Sequence, residues 1–203
     1  ASMLWVGWFG FNGGSALSAG INAGMAILVT HISAAMGAIV WMVIEWIRFG
    51  KPSLVGIVTG MVAGLATITP ASGFVGVPGG LILGLSGGII CYFSVDLIRS
   101  KLKIDDSLDV FAVHGVGGIL GTLMVSFLAL KTFSGAGLSD EMSVYSQFLA
   151  QFFGVVLTVV WTLIFTYVAL KITSLFTSLR VEEQEEIEGL DLRSHGERAY
   201  YND

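Results

Sequence analysis

Six apolar runs, divided by short breaks of glycine, proline and a few charges, decide what this chain can fold into. They extend from about Ser2 to Leu17, Ile21 to Ile47, Leu54 to Ile68, Val77 to Ile98, Leu108 to Leu130 and Val144 to Phe176. A bilayer is crossed by about 20 apolar residues in a helix. The third run is short for that, and Thr69-Pro70-Ala71-Ser72-Gly73 ends it with helix breakers. The sixth is long, so it tilts strongly or extends into water. Only 12% of the 203 residues are charged, against about 25% in soluble domains. The expected fold is therefore an all-α membrane protein of six transmembrane helices, with residues 1–178 as the transmembrane domain and residues 179–203 as a cytoplasmic tail.

Charge placement refines this picture. The net charge of −5 belongs to the tail, because eight of the fifteen acidic residues lie between Glu182 and Asp203. No basic surface for nucleic acid exists. Arg48, Lys51, Arg99, Lys101, Lys103 and Arg180 fall in alternate breaks, and the opposite breaks hold only Lys131, Asp140 and Glu141. The positive-inside rule then puts the basic loops, both ends and the tail in the cytoplasm. The tail starts as an acidic stretch from Glu182 to Asp191, which fits a solvated helix or a disordered end. Its second half, through Ser194 and Tyr200, mixes aromatic, basic and acidic residues as a docking segment does. The opening at Ala1 lacks a charged flank and a signal-peptide pattern, which suggests a piece of a longer chain.

Glycine supplies 27 residues. Gly56, Gly60 and Gly64 recur every four positions, as do Gly76, Gly80, Gly84 and Gly88. Each set forms a smooth stripe on one helix face, where a second backbone can approach. Cys91 is the only cysteine, so no intrachain disulfide can form. No nucleophile–base pair or metal-ligand cluster stands out. The glycines from Gly80 to Gly88 lie inside an apolar run with no strand before them, so they are not a nucleotide loop. No enzyme activity, cofactor or metal is expected.

His114 is the one ionisable side chain between Val110 and Leu130. Such a group at membrane depth is costly and marks a route for an ion or polar solute. The competing reading is a histidine hydrogen-bonded to a neighbouring helix for packing, and a span this apolar favours the first. His31, beside Thr30 and Ser33, reads instead as packing or lipid-edge polarity. Glu45 reads as an i,i+3 partner of Arg48.

Five strings share one direction: Gly7-Trp8-Phe9-Gly10-Phe11-Asn12, Gly50-Lys51-Pro52-Ser53-Leu54, Gly64 through Ala71, Asp109-Val110-Phe111-Ala112-Val113-His114-Gly115, and Glu188-Gly189-Leu190-Asp191 with Ser194-His195-Gly196-Glu197. In this order the chain resembles the ammonium transporter (Amt/Mep/Rh) family, its bacterial and archaeal branch above all. The resemblance implies a trimer with one pore per subunit, built of inverted five-helix repeats plus a long last helix. This chain is similar to the sixth through eleventh helices. It would supply half of a pore wall at the repeat interface and need a complementary N-terminal five-helix half.

By the same resemblance His114 is one of two pore histidines, its partner being in the other half. Phe11 corresponds to a phenylalanine of the outer gate and Ser15 to the hydroxyl of an outer ammonium-recruitment site. Trp8, Leu4 and Val110 correspond to apolar pore positions, and Thr69 to a threonine near the helix break. Asp109 corresponds to an acid that caps and orients the histidine helix. The family tail binds trimeric PII-type regulators, which puts Gly189, His195 and Tyr200 in a docking segment; His195 has no pore role. The implied function is ammonium or ammonia transport through a hydrophobic pore in the cytoplasmic membrane. The alternatives are an ammonium sensor and a PII-binding scaffold that conducts nothing.

Overall fold

A computed structural model of the chain describes residues 1–198. Seven α-helices are present among them, and no strand. They are α1 (Ser2–Gly14), α2 (Ile21–Phe49), α3 (Leu54–Ile68), α4 (Val77–Asp96), α5 (Val116–Leu128), α6 (Val144–Ser174) and α7 (Glu183–Glu188). The first six stand on the six apolar runs. Four helical stretches are long and apolar enough to cross a membrane: Ile21–Phe49, Val77–Lys101, Val110–Leu128 and Val144–Ser174. α1 and α3, at 13 and 15 residues, fall short of the ~20 a bilayer needs.

Local chemistry sets the ends. Ser53 caps α3, its hydroxyl accepting the Gly56 N–H at 2.9 Å. Pro78 sits in the first turn of α4, where no N–H is missed. Gly50 closes α2 in the left-handed conformation, φ 75°. Glu45 does not pair with Arg48 as expected. Its carboxylate accepts the Ser53 N–H at 2.6 Å and lies 3.1 Å from the Ser53 hydroxyl. Arg48 instead lies over the Tyr92 and Phe49 rings and 3.8 Å from Asp96. An exposed i,i+3 pair is worth only tenths of a kcal/mol, so a strong acceptor for the cap of the next helix wins.

The described chain forms two compact units, Ala1–Val155 and the stretch beginning at Val156. In the first, α2, α3 and α4 meet along their glycines. Ser33 of α2 lies between Gly64 of α3 and Gly84 of α4, and a Cβ on either glycine would press into the Ser33 backbone. The Ser33 hydroxyl donates to the Gly64 carbonyl at 2.8 Å. α5 meets α3 the same way, Gly121 against the Thr67 carbonyl. The stripes are thus backbone contacts, as their spacing suggests. α6 is apolar along its length, yet none of its residues is buried. A bilayer is the solvent such a helix suits.

α1 joins the bundle through a buried polar pair. The Asn12 side-chain amide donates to the Thr30 hydroxyl at 2.8 Å, and that hydroxyl donates to the Ala26 carbonyl at 2.6 Å. Thr30→Val keeps the volume and removes the acceptor, leaving the Asn12 amide buried without it. The chain is expected to lose about 1–3 kcal/mol, read as a lower unfolding temperature in detergent.

Candidate functional site

α1 carries two faces. Trp5, Phe9 and Asn12 turn to α2, and His31 lies against them, 5.2 Å from the Trp5 ring and 5.8 Å from the Phe9 ring. Leu4, Trp8, Phe11 and Ser15 follow one another at three- and four-residue steps along the other side. Leu4 and Phe11 are mostly exposed, at 56% and 64%. For residues this apolar such exposure marks a face that something else covers.

The second wall of the site comes from the segment before α5. It begins as a π-helical turn, Val110–Gly115, and passes into α5 at Val116. A π turn is rare and is often found at functional sites. His114 is exposed on it, and its ring stacks on Trp8 at 6.1 Å and 11°. Trp8 meets Phe11 edge-on at 6.4 Å, and its indole N–H donates to the Thr69 hydroxyl at 2.8 Å. The Thr69 hydroxyl in turn donates to the Leu65 carbonyl at 2.7 Å. Phe11, Trp8, His114 and Thr69 therefore form one connected set drawn from three parts of the chain.

Ser15 lies at the end of α1 and donates to the Phe11 carbonyl at 2.7 Å. With its proton so directed, its lone pairs can accept a hydrogen bond from a cation. Val110 is half-exposed at the start of the π turn. His31 belongs to the Trp5 and Phe9 rings, apart from the His114 stack.

Asp109 is placed at the cap position of the π turn but makes no capping hydrogen bond; it sits at φ 55°, in the left-handed region. The cap is Asp106, a residue the sequence reading passed over. Its carboxylate accepts the N–H groups of Val110 at 2.7 Å, Phe111 at 2.9 Å and Ala112 at 3.3 Å. Asp109 faces Arg99 instead, Nε to Oδ1 2.8 Å. The Arg99 Nε–H is directed at the Asp106 carbonyl, so Asp109 Oδ1 is held by charge and accepts no hydrogen bond. Burial pushes the Asp109 carboxyl above its ordinary range, Arg99 draws it back and Asp106 adds to the rise.

In the second unit, Gly189 ends α7 at φ 94° and His195 lies in a π-helical turn, Asp191–His195. Tyr200 lies outside the described residues. Arg180 binds both carboxylate oxygens of Glu186. That contact holds the Glu186 carboxyl below its ordinary value, an effect in which hydrogen bonding outweighs desolvation. With the folded value depressed, the contact is fully present above the unfolded value and is lost as pH falls through the folded one. A carbon-detected titration is expected to give Glu186 a midpoint below the ordinary ~4.3, and Arg180→Gln is expected to return it.

Among the described residues no cluster of three or more His, Cys, Asp or Glu could hold a metal ion. The sequence matches the Ammonium Transporter Family over residues 1–200. It is 48% identical to ammonium transporter Amt1 of Archaeoglobus fulgidus, over 98% of this chain and 50% of that one. It is 43% identical to an ammonium transporter of Aquifex aeolicus, over 98% and 47%. Among solved structures, a sensor Amt protein superposes with a TM-score of 0.85 at 33% identity, over 95% of this chain and 47% of that one. Candida albicans Mep2 does so at 0.79 and 36%, over 95% and 44%. The chain thus spans about half the length of these relatives.

Proposed function

The chain belongs to the ammonium transporter family, and we propose that it supplies half of the wall of a pore that carries ammonium or ammonia across the cytoplasmic membrane. The observation that carries this reading is the stack of an exposed His114 on Trp8, beside Phe11 and Thr69, on a face no other described element covers. Ammonium arriving outside meets the Ser15 hydroxyl and aromatic faces, each cation–π contact worth about 0.5–2 kcal/mol. The apolar wall of Leu4, Trp8, Phe11 and Val110 opposes the cation, so ammonium leaves its proton to water at the outer mouth and neutral ammonia passes. The His114 imidazole offers ammonia a hydrogen-bonding partner along the way and can hand a proton on. Potassium has no proton to lose, so it is rejected by chemistry rather than size.

The pore closes against a complementary five-helix half, and the whole assembles as a homotrimer. The tail, with Gly189, His195 and Tyr200, lies in the cytoplasm and docks a PII-type regulator. The likeness to a sensor Amt protein favours a second reading, in which the chain senses ammonium or serves as a scaffold for the regulator.

Ammonium-gated current on a supported membrane separates these. The chain is reconstituted alone and with a complementary half, each beside His114→Ala. Current that needs the complement and changes with the substitution supports the transporter. No current in any combination, with the tail still binding a PII-type protein, turns the conclusion to the second reading.

A further inference from the structure

The helix that presents His114 begins in an unusual way. All four of its opening N–H groups, which a helix cannot satisfy internally, have partners. Three of them, from Val110, Phe111 and Ala112, converge on the one Asp106 carboxylate. The fourth, from Asp109 itself, donates to the Asp106 carbonyl at 3.1 Å. Asp109 takes the left-handed conformation, φ 55°, which aspartate tolerates better than most residues. That twist brings the side chain of Asp106, rather than its own, over the helix end. Arg99, in the π-helical turn Leu97–Lys101 that follows α4, binds the loop from behind through the carbonyls of Asp106 and Ser107. It also lies against Asp109.

The turn held in this way is π-helical. A π turn holds one more residue than an α turn, so relaxing it to α geometry shifts the phase by one residue, about 100° around the axis. The far side cannot absorb that rotation. Gly117 and Gly121 are seated against Thr67 with no room to turn. The rotation would fall on Val110 to His114, and it would carry the imidazole off the Trp8 face.

We propose that Asp106, clamped by Arg99, is the positioning residue of His114: by holding three N–H groups of the π turn it sets the direction in which the imidazole leaves the helix. The role in transport rests on the reading of His114 as a pore group, but the geometric claim is tested without transport.

The test is the position of the histidine ring signals in the chain labelled with carbon-13 histidine and held in lipid nanodiscs. His114 is assigned by its loss in His114→Gln, and Trp8→Ala marks where its signal falls without the ring current of the indole. Asp106→Ala is expected to move the His114 signal to that unstacked position, and Asp106→Asn to keep it near the parent. His31, 5.2 Å from the Trp5 ring, is the internal reference and is expected to stay. Arg99→Gln leaves the carboxylate but frees the loop, and is expected to move His114 part of the way. An unmoved His114 in Asp106→Ala overturns the inference. So does a shift of His31 alongside it in both Asp106→Ala and Arg99→Gln, which would mean general loss of structure. If His114 moves alone and yet no current flows with the complement, the positioning role stands and the transport reading falls.

Discussion

Valine in place of Gly64 is expected to damage the bundle more than a change at any exposed glycine, lowering its stability by roughly 2–6 kcal/mol. About 1–3 of that comes from overpacking and about 1–3 from a buried hydrogen bond lost without replacement. The Gly64 Cα faces backbone, the Ser33 carbonyl and the Ala34 Cα. Backbone has no rotamer to change, so the only relief is for α2 and α3 to move apart. Separation breaks the Ser33 hydroxyl contact to the Gly64 carbonyl, and Ser33 is fully buried. α4 feels the same shift, because Gly84 sits on the other side of Ser33. The measurement is thermal unfolding of the chain in detergent, beside Gly24→Ala. Nothing lies within 4 Å of a Cβ at Gly24, so that variant is expected to be neutral or to gain about 0.5–1 kcal/mol. Equal unfolding temperatures for Gly64→Val and the parent would refute the close helix contact.

The glycine stripes illustrate what could be read from residue order alone. Apolar runs and small residues at four-residue steps report helix position and packing directly, because both follow from the helix period. α3 is the sharpest case: the apolar start at Leu54 and the stop at Thr69-Pro70 bound Leu54–Ile68 at both ends, and the structure adds Ser53 as its cap. α1 ends earlier than its apolar run, at Gly14, because Ala16 and Leu17 turn back onto Gly13 and Gly14. The π turn at Val110–Gly115 was not legible. Hydrophobicity is the same whether the chain bonds four or five residues back, and the choice depends on what holds the turn. The identity of the cap was missed for the same reason. Asp105, Asp106 and Asp109 all precede Val110, where the π turn starts, and only the left-handed twist at Asp109 decides which carboxylate reaches the N–H groups. Glu45 shows the converse error, in which a plausible neighbour in sequence lost to Ser53 across a turn.

Trp8→Ala is expected to reduce ammonium current by roughly tenfold or more in the chain joined to its complement, with the fold retained. Trp8 serves two partners at once. Its face supports the His114 ring at 6.1 Å, and its N–H donates to Thr69 at 2.8 Å. Aromatic stacking contributes about 0.5–1.5 kcal/mol and the hydrogen bond about 0.5–1.5 kcal/mol. Together these come to about 1–3 kcal/mol, a range whose middle exceeds the ~1.4 kcal/mol that corresponds to a factor of ten in rate. The Thr69 hydroxyl keeps its bond to the Leu65 carbonyl, so no buried donor is orphaned and the helix break survives. Trp8→Phe separates the two contributions, since it preserves a ring beneath His114 and removes the N–H. Its current is expected to lie between those of the parent and the alanine variant. If phenylalanine conducts as the parent does, the stack alone matters. If both variants conduct as the parent does, Trp8 is an ordinary packing residue, and the pathway does not run along this face of α1.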